Sequence, residues 1–430
     1  MLKQIPVSQL EIGMFVHKFE GGWFDHPFWK AKFVVDDDEK LAAIRESRLR
    51  GVVIDTAKGR DLTPPAVAAA AEPGEAAEAA ERAPSPAARR IRSIKRRTDA
   101  QLVAAQPVSL AQEVETAAQI AEQARERLGK VFIDARLGKA LDVRKVEPVV
   151  SDILASVRRN PQAFSGLMRC KLKNEAIFRH ALSVSALMVA LADRMKLSGP
   201  EIYGSGLAGL LLDIGVNYLP QTEGLAGGDY RARDERLWQS HVLLGYRALQ
   251  NDDNLPPAVL DACLLHHERI DGRGYPQGRA GEDIPLIARM AAVCDSFEFL
   301  LAGSLGQPPM DPAAAVDALR AQTGAFDEEI LRLFVETVGL YPVGAFVELA
   351  SRKIAMVIDE DRKDPLRPVV QAFYSLETRE RILPHRVALA EPSEKERIVG
   401  IADLAGHDLP ADDQLRELVF LSACRNIVHA

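Results

Sequence analysis

The stretch His266-His-Glu-Arg-Ile-Asp-Gly-Arg-Gly-Tyr-Pro276 decides how this 430-residue chain is interpreted. It begins where an apolar helical pattern ends. Neighbouring residues on a helix point about 100° apart, so the rings of His266 and His267 are expected to face different ligands or metals. Gly272 and Gly274 permit a tight loop, and Tyr275-Pro276 sets its exit. The stretch therefore joins two candidate ligands to a tight loop.

On either side of this stretch the chain has the pattern of a helical bundle. Residues 140 to about 338 show apolar positions at helical spacing, broken by the Gly- and Pro-rich loop at residues 271–285. The predicted fold is mainly α. The predicted helices include Val146–Val157, Ala176–Met195, Glu201–Ile214 and Pro312–Thr337.

Histidines and aspartates are distributed over these helices in a pattern that suggests a metal centre. Side chains from separate helices can converge inside a bundle and hold two divalent metals, with a carboxylate between them. Such a pair of ions acts on phosphate esters. His180 taken alone, on an apolar face with Val184 and Leu187, has the pattern of a core histidine. The candidate ligands are His180, Asp213, His241, His266, His267 and Asp295.

Composition divides the chain into four segments. Residues 1–62 contain short β-branched runs at Gly13–His17 and Gly51–Asp55, with helical spacing over Asp38–Leu49, and predict a small N-terminal α/β domain. Residues 63–100 are rich in Ala and Pro and predict a disordered linker. Residues 101–345 form the helical region, with its core at 150–345. Residues 346–430 predict a small C-terminal α+β extension, with three β runs followed by helices near Glu394–Leu404 and Ala411–Leu421.

A helix is predicted from Ser109, which forms a capping-box pattern with Gln112. Its apolar stripe runs from Leu110 through Val114 and three alanines to Leu128. Packing into the core of the same chain is the first interpretation. A self-pairing helix that makes a homodimer is the alternative, although an alanine-rich seam is weak.

Composition also excludes several classes of protein. A net charge of -7 argues against nucleic acid and anionic membranes as partners. The four cysteines are far apart and form no zinc-binding pattern, as expected in a reducing cytosol. No signal peptide and no run of about 18 apolar residues is present, so a cytoplasmic location without a membrane span is expected.

The quoted stretch resembles the HD-GYP family, whose pattern HHExxDGxGYP it matches at every fixed position. The segment Ile284–Asp295 is similar to the family's IPxxARIxxxxD, with Met290 in place of Ile. The resemblance covers about residues 150–345. Residues 1–62, with Trp23–Phe28 and Ile54–Gly59, resemble the domain of unknown function that often precedes HD-GYP.

This resemblance implies hydrolysis of cyclic di-GMP at a centre of two or three iron or manganese ions. It implies that Asp213 bridges two metals and acts in catalysis, and that the six candidate residues are the ligands. It also implies diguanylate-cyclase domains or other signalling proteins as partners. The loop formed by Asp271, Gly272, Gly274, Tyr275 and Pro276 would engage them.

The chain departs from the family pattern at several catalytic positions. Where the family has His-Asp-x-Gly-Lys, this chain has Leu212-Asp-Ile-Gly-Val216, which removes a metal ligand and a lysine that contacts phosphate. Ser304 and Gln307 stand where two further cationic contacts are expected. A glutamate that would hold a third metal is replaced by Ala176, and Glu175 is one residue out of place.

Three lost contacts to a charged phosphate would remove about 4–9 kcal/mol, and a micromolar ligand has only about 8 kcal/mol in total. Tight cyclic-di-GMP binding is therefore not expected unless Arg269, Arg273 or Arg289 compensates, and Arg269 is the candidate catalytic cation. Two hypotheses stay open: a degenerate signalling protein with weak or no hydrolysis that acts by protein contact, and an active phosphodiesterase with an altered metal site. A phosphohydrolase for another nucleotide has no support in the sequence.

Overall fold

A computed structural model describes the chain at residues 2–6, 10–20, 33–35, 41, 51–56, 58–60, 106–139, 141–171, 176–220, 235–252, 255–304, 307–361, 364, 366–391 and 395–426. The chain divides into two compact units, Met1–Ala83 and Pro84–Ala430, and each is described by itself. The predicted linker at 63–100 lies outside the described residues.

The N-terminal unit contains an antiparallel sheet in the strand order β1-β4-β2-β3. The predicted β runs form strands because alternate residues such as Val52 and Ile54 face one small apolar core. Of the predicted helix at 38–49 only Leu41 is described, and it packs against this core. The strands are β1 Leu2–Ile5, β2 Phe15–Glu20, β3 Phe33–Val34 and β4 Gly51–Asp55.

The second unit confirms the predicted mainly α fold. Its helices are α1 Leu110–Arg136, α2 Glu147–Arg159, α3 Pro161–Lys171, α4 Ala176–Arg194, α5 Gly199–Leu211, α6 Glu235–Gln239, α7 His241–Leu249, α8 Pro257–Leu265, α9 Leu286–Ala302, α10 Pro312–Ala321 and α11 Glu328–Val338. Short 3-10 helices lie at Val143–Lys145, Ile214–Tyr218 and Gly281–Asp283.

Two predicted helices have different boundaries in the structure. The single helix predicted over Pro312–Thr337 is wrong, because Asp327 accepts hydrogen bonds from the backbone N–H groups of Glu329 and Ile330 and so starts a separate helix, α11. The helix predicted to end at Ile214 ends at Leu211, and the chain tightens into the following 3-10 helix. Asp213 therefore lies at the junction between α5 and this 3-10 helix.

Helix α1 packs within its own unit. The capping box of Ser109 and Gln112 is present, and the whole predicted stripe is buried against α2, α3 and α4. Glu113, which is buried, forms two hydrogen bonds with Arg159 of α2, of 2.6 and 2.8 Å. The apolar stripe of α1 therefore packs into the core of the same chain, which agrees with the first interpretation given for it.

Helix α4 is the central element of the bundle. It is long and apolar enough to cross a membrane, but 78% of its most apolar window is buried inside the protein. It packs closely on α5, where the Ser185 hydroxyl donates to the backbone oxygen of Gly206 over 2.8 Å. Its apolar character is therefore that of a core helix.

The start of α7 is pressed against the 3-10 helix that follows α5. A Cβ added at Gly215 would lie 1.9 Å from the backbone oxygen of His241, so only glycine permits this approach. Because the two segments touch, Asp213 and His241 are brought side by side.

The C-terminal segment forms an antiparallel sheet in the order β8-β7-β6-β5-β9, with a helix, α12, packed on it. The helix predicted near Glu394–Leu404 is wrong: the chain there forms β9, whose exposure alternates with the two-residue period of a strand. The elements are β5 Phe346–Leu349, β6 Lys353–Asp359, β7 Val369–Ser375, β8 Glu380–Ala388, β9 Ile398–Ile401 and α12 Asp412–Asn426.

Candidate metal centre

The six predicted ligands meet inside the helical unit as two groups of three. The carboxylate group is His180 of α4, Asp213 after α5 and Asp295 of α9. The imidazole group is His241, His266 and His267, from the start of α7 and the end of α8. Within each group the ligand atoms lie within 4.8 Å of one another.

In the carboxylate group, His180 lies between two acids. Its Nε2 is 2.9 Å from Oδ1 of Asp295 and 3.4 Å from Oδ2 of Asp213. Burial raises the pKa of both acids, but the hydrogen bonds and charges of nearby histidines outweigh burial and lower both pKa values. Both carboxyl groups are therefore ionised and can act as ligands.

Asp213 also connects the two groups. Its Oδ1 lies 3.4 Å from Nε2 of His241 and 3.7 Å from Nε2 of His266, while its Oδ2 faces His180. One oxygen therefore faces each group. This is the geometry expected of a carboxylate shared between two metal ions.

In the imidazole group, backbone carbonyls orient the rings. Nδ1 of His241 lies 2.6 Å from the Trp238 oxygen, and Nδ1 of His266 lies 3.1 Å from the Ala262 oxygen. With a proton on each Nδ1, the lone pairs on Nε2 point toward the centre, where the two Nε2 atoms are 3.3 Å apart. A backbone partner on the second ring nitrogen is typical of metal-binding histidines.

Burial sets the charge of two of these rings. It lowers the pKa of His266 and, further, that of His267, so both are neutral at pH 7 and have a free lone pair. For His241 burial also acts to lower the pKa, but the hydrogen bond and charge of Asp213 outweigh it, and the pKa is raised.

The donor set fits a metal. Among the described residues, Oδ1 of Asp213 and Nε2 of His267 are buried without a hydrogen-bond partner of good geometry, and such atoms normally have one. The Nε2 atoms of His241 and His266 are 3.3 Å apart, a separation that either a shared proton or a metal ion bound by both rings stabilises. Mixed imidazole and carboxylate donors suit ions such as iron and manganese.

His266 and His267 were expected to face different ligands or metals because both were placed on one helix, and the structure does not bear out that premise. Helix α8 ends at Leu265, so His267 lies beyond the helix and the 100° separation does not apply. The two ring centroids are 4.1 Å apart, and both rings join the group of His241.

The departures from the family pattern lie in apolar or neutral surroundings. Leu212 and Val216 are buried in the main apolar core. Ser304 and Gln307 pair with each other through two backbone hydrogen bonds of 2.8 and 2.9 Å. Ala176 is the first residue of α4, and Glu175 lies outside the described residues.

Two of the arginines considered as substitutes are held by acids. Arg269 forms two hydrogen bonds with Asp271, of 2.8 and 3.1 Å, and Arg289 lies 2.6 Å from Asp327. Arg273 is exposed on the loop. The predicted role of Arg269 as a catalytic cation therefore requires it to leave Asp271.

The Gly-Tyr-Pro loop packs onto the imidazole group. The ring of Tyr275 stacks on His267 with centroids 4.6 Å apart, and its backbone N–H donates to the His267 oxygen over 3.1 Å. A Cβ added at Gly274 would lie 2.5 Å from the His267 oxygen. Glu268, buried beneath the loop, accepts the backbone N–H groups of Gln277 and Arg279. The loop is thus part of the wall of the centre.

Two residues that help to position the candidate ligands and the loop were not predicted from the sequence. The Trp238 carbonyl holds His241, and the Trp238 ring lies 4.4 Å from that of His241, centroid to centroid. Glu268 belongs to the matched pattern, but its role in fixing the loop shows only in the structure. A backbone carbonyl has no sequence signature, so the part played by Trp238 is not visible in its residue type.

This helical bundle with histidines and aspartates converging on a buried centre defines the class of HD-domain proteins. Two family descriptions match the chain: a domain of unknown function over residues 2–146 and an HD domain over residues 159–330. The first match extends across the predicted linker.

Similar proteins narrow the class. A cyclic di-GMP phosphodiesterase of Pseudomonas aeruginosa is 37% identical over 401 residues, which cover 93% of this chain and 92% of that protein. A 3'3'-cGAMP-specific phosphodiesterase of Vibrio cholerae is 30% identical over 159 residues, 36% of this chain and 30% of that one. A solved HDG"Y"P protein from Bdellovibrio bacteriovorus aligns with a TM-score of 0.43 at 18% identity, over 78% of this chain and 99% of that one. The chain belongs to the HD-GYP family.

Proposed function

We propose that this protein is a metal-binding HD-GYP protein that recognises cyclic di-GMP, hydrolyses it slowly and acts in signalling through protein contacts. The observation that carries the proposal is the convergence of six candidate ligands, five of them buried, with Asp213 between the two groups. A buried cluster of this kind is costly without a cation, which supports retained metal binding.

The two groups divide the ligands of two ions between them. His180 and Asp295 would hold one ion, the three histidines of the imidazole group would hold the other, and Asp213 would contact both. Two divalent ions supply Lewis acidity toward a phosphodiester and activate water. Iron or manganese is the proposed metal, given the mixed nitrogen and oxygen donors. Tyr275 on His267 covers one side of the centre.

Slow turnover is proposed because the carboxylate group lacks the ligand that the family has at Leu212. The cationic contacts are missing at Val216, Ser304 and Gln307, and Arg269 is paired within the structure. Each hydrogen bond to a charged phosphate is worth roughly 1.5–3 kcal/mol, so the loss of these contacts lowers kcat/KM for the phosphodiester, and the missing ligand is the proposed cause of a lower kcat.

The second candidate is an efficient phosphodiesterase with an altered metal site. It is favoured by the 37% identity to the Pseudomonas aeruginosa phosphodiesterase over almost the whole chain. In this case water takes the coordination position that the missing histidine leaves.

One measurement on one sample separates these candidates. The protein is expressed with iron and manganese, its metal content is determined by mass spectrometry, and cyclic di-GMP hydrolysis is followed by chromatography. We expect one to two ions per chain and turnover far below that of a complete HD-GYP enzyme assayed in parallel. Less than one ion per chain contradicts the metal centre. Turnover equal to the complete enzyme selects the second candidate.

We also propose a cytoplasmic location and a signalling partner such as a diguanylate-cyclase domain. The four cysteines are free thiols, which suits a reducing compartment. Gly274 and Tyr275 pack inward, whereas Asp271 and Arg273 are exposed, and of these Arg273 is the cation that the loop offers to a partner. An Arg273→Glu variant is expected to weaken capture of a purified diguanylate-cyclase domain, and Arg125→Glu on α1 is the control. Equal capture by both variants contradicts the loop as the contact.

A further inference from the structure

Four aromatic rings pack against one another in and beside the imidazole group. They belong to Trp238, His241, His267 and Tyr275. The ring of His241 lies against that of Trp238, with centroids 4.4 Å apart, and edge-on to that of His267 at 5.2 Å. The ring of His267 in turn stacks on that of Tyr275 at 4.6 Å. Two of the four rings are therefore candidate metal ligands, and the other two pack against them.

Trp238 contacts the first of these ligands through its backbone. Its carbonyl oxygen lies 2.6 Å from Nδ1 of His241, and a proton on Nδ1 leaves the lone pair on Nε2 of that ring for a metal. The carbonyl reaches the ring because Trp238 precedes His241 by three residues, in the short helix α6 that ends just before α7 begins. Any residue type supplies a carbonyl, so this contact alone does not require a tryptophan.

The indole of Trp238 makes a second contact, with Tyr275. The two side chains form a hydrogen bond, and because indole can only donate, its N–H donates to the phenol oxygen. Burial raises the pKa of Tyr275, so the phenol is neutral at pH 7. The backbone N–H of Tyr275 donates to the His267 oxygen over 3.1 Å. The ring that stacks on His267 is therefore held both by its own backbone and by the indole.

Trp238 thus acts on two candidate ligands, on His241 through its carbonyl oxygen and on His267 through Tyr275. Groups that orient metal ligands contribute to metal affinity because the ligands are then already placed for the ion. We propose that Trp238 is a positioning residue that fixes His241 and His267 relative to each other and so raises the metal affinity of the imidazole group. The inference rests on the metal centre of the proposed function. Trp238 lies outside the matched motif at residues 266–276.

The first test measures Mn²⁺ affinity of the full chain by electron paramagnetic resonance. Trp238→Phe keeps the carbonyl and an aromatic ring but removes the indole N–H, and Tyr275→Phe removes the same hydrogen bond from the other side. Each variant should bind one Mn²⁺ ion about 10-fold more weakly, the lower end of the effect of residues that orient metal ligands. The double variant should be no weaker than either single variant, because both changes remove one interaction.

Tyr203→Phe is the matched control, because it removes a tyrosine hydroxyl that donates to the Glu147 oxygen, which is not a ligand. It should keep full Mn²⁺ affinity even where it lowers the urea midpoint as much as Tyr275→Phe does. Circular dichroism checks folding, and Tyr275→Phe carries the test if Trp238→Phe does not fold. A tryptophan that only fills space would leave Tyr275→Phe with full affinity. That result, or losses that multiply in the double variant, overturns the proposal.

A second readout needs no metal. Trp23 and Trp29 are the other tryptophans of the chain, so replacing both by phenylalanine leaves Trp238 as the sole source of tryptophan emission. In this background Tyr275→Phe should shift the emission maximum, because the indole N–H loses its partner, whereas Tyr203→Phe should not. Absence of Mn²⁺ binding in the unmodified chain contradicts the proposed function. Mn²⁺ binding with unchanged affinity and emission in Tyr275→Phe overturns only the positioning role.

Discussion

The two halves of the metal centre are built in different ways. The imidazole group comes from neighbouring short elements of the chain, and backbone carbonyls orient His241 and His266. The carboxylate group comes from α4, the junction after α5, and α9, which lies about 80 residues further along the chain, and it is flanked by Leu212 in the apolar core. The carboxylate group is also the half in which Leu212 stands where the family pattern has a histidine.

Leu212 itself is well accommodated by the fold. It lies just after α5 in the main apolar core, so a leucine at this position is compatible with packing. Replacement of His241 would remove a side chain that touches Asp213, His266 and the Trp238 carbonyl together. The two halves are therefore expected to respond differently to mutation.

The largest effect is expected at Asp213, the residue shared by both halves. The Asp213→Asn variant loses the negative charge that faces His180, His241 and His266. Mutating a residue that only hydrogen-bonds to a metal ligand lowers metal affinity by about 10- to 100-fold, so removing the charge of a ligand should lower it by more than about 100-fold. Metal content by mass spectrometry measures this. Asp317→Asn, at an exposed pair on α10, should keep the metal content of the unmodified protein. Loss of only one ion in Asp213→Asn would show that the halves are independent.

A gain is expected when the missing ligand is restored. Leu212→His should raise metal content by about one ion and turnover of cyclic di-GMP by about 10- to 100-fold. Without metal the variant should be less stable by about 2 kcal/mol, because a polar ring replaces a buried leucine. Leu210→His, at an equally buried position of α5, should show the loss of stability without the gain in metal. If Leu212→His gains neither metal nor turnover, the missing histidine is not the cause of slow turnover.

The smallest effect concerns the loop that covers the imidazole group. In Gly274→Ala the new methyl group would meet the backbone of residues 267–269, which should lower the free energy of unfolding by about 1–3 kcal/mol. Gly204→Ala, where nothing lies within 4 Å of the added Cβ, should leave stability equal or raise it by about 0.5–1 kcal/mol. Urea unfolding measures both. Equal stability of the two variants would mean that the loop rearranges around the added methyl group without lowering the free energy of unfolding.

Much of this architecture was predictable because it depends on local patterns. Helical spacing identified the bundle, and the capping pair of Ser109 and Gln112 marked the start of α1. The six ligands were recognisable because histidine and aspartate are chemically distinctive and the family motif fixes their order. The errors came where local patterns are ambiguous: Asp327 starts a new helix inside an apparently continuous pattern, and Ile398–Ile401 is too short to separate helix from strand.

The sequence by itself determined the family, the mainly helical fold, the identity of the candidate ligands and the departure from the family pattern at Leu212. These follow from residue types and short spacings, which a linear pattern records. Only the tertiary structure decided that His266 and His267 join one group, that Arg269 and Arg289 are paired with acids, and that Trp238 contacts both His241 and Tyr275. The physical reason is that these relations depend on where each helix ends and on how side chains pack in three dimensions, which residue types and short spacings do not record.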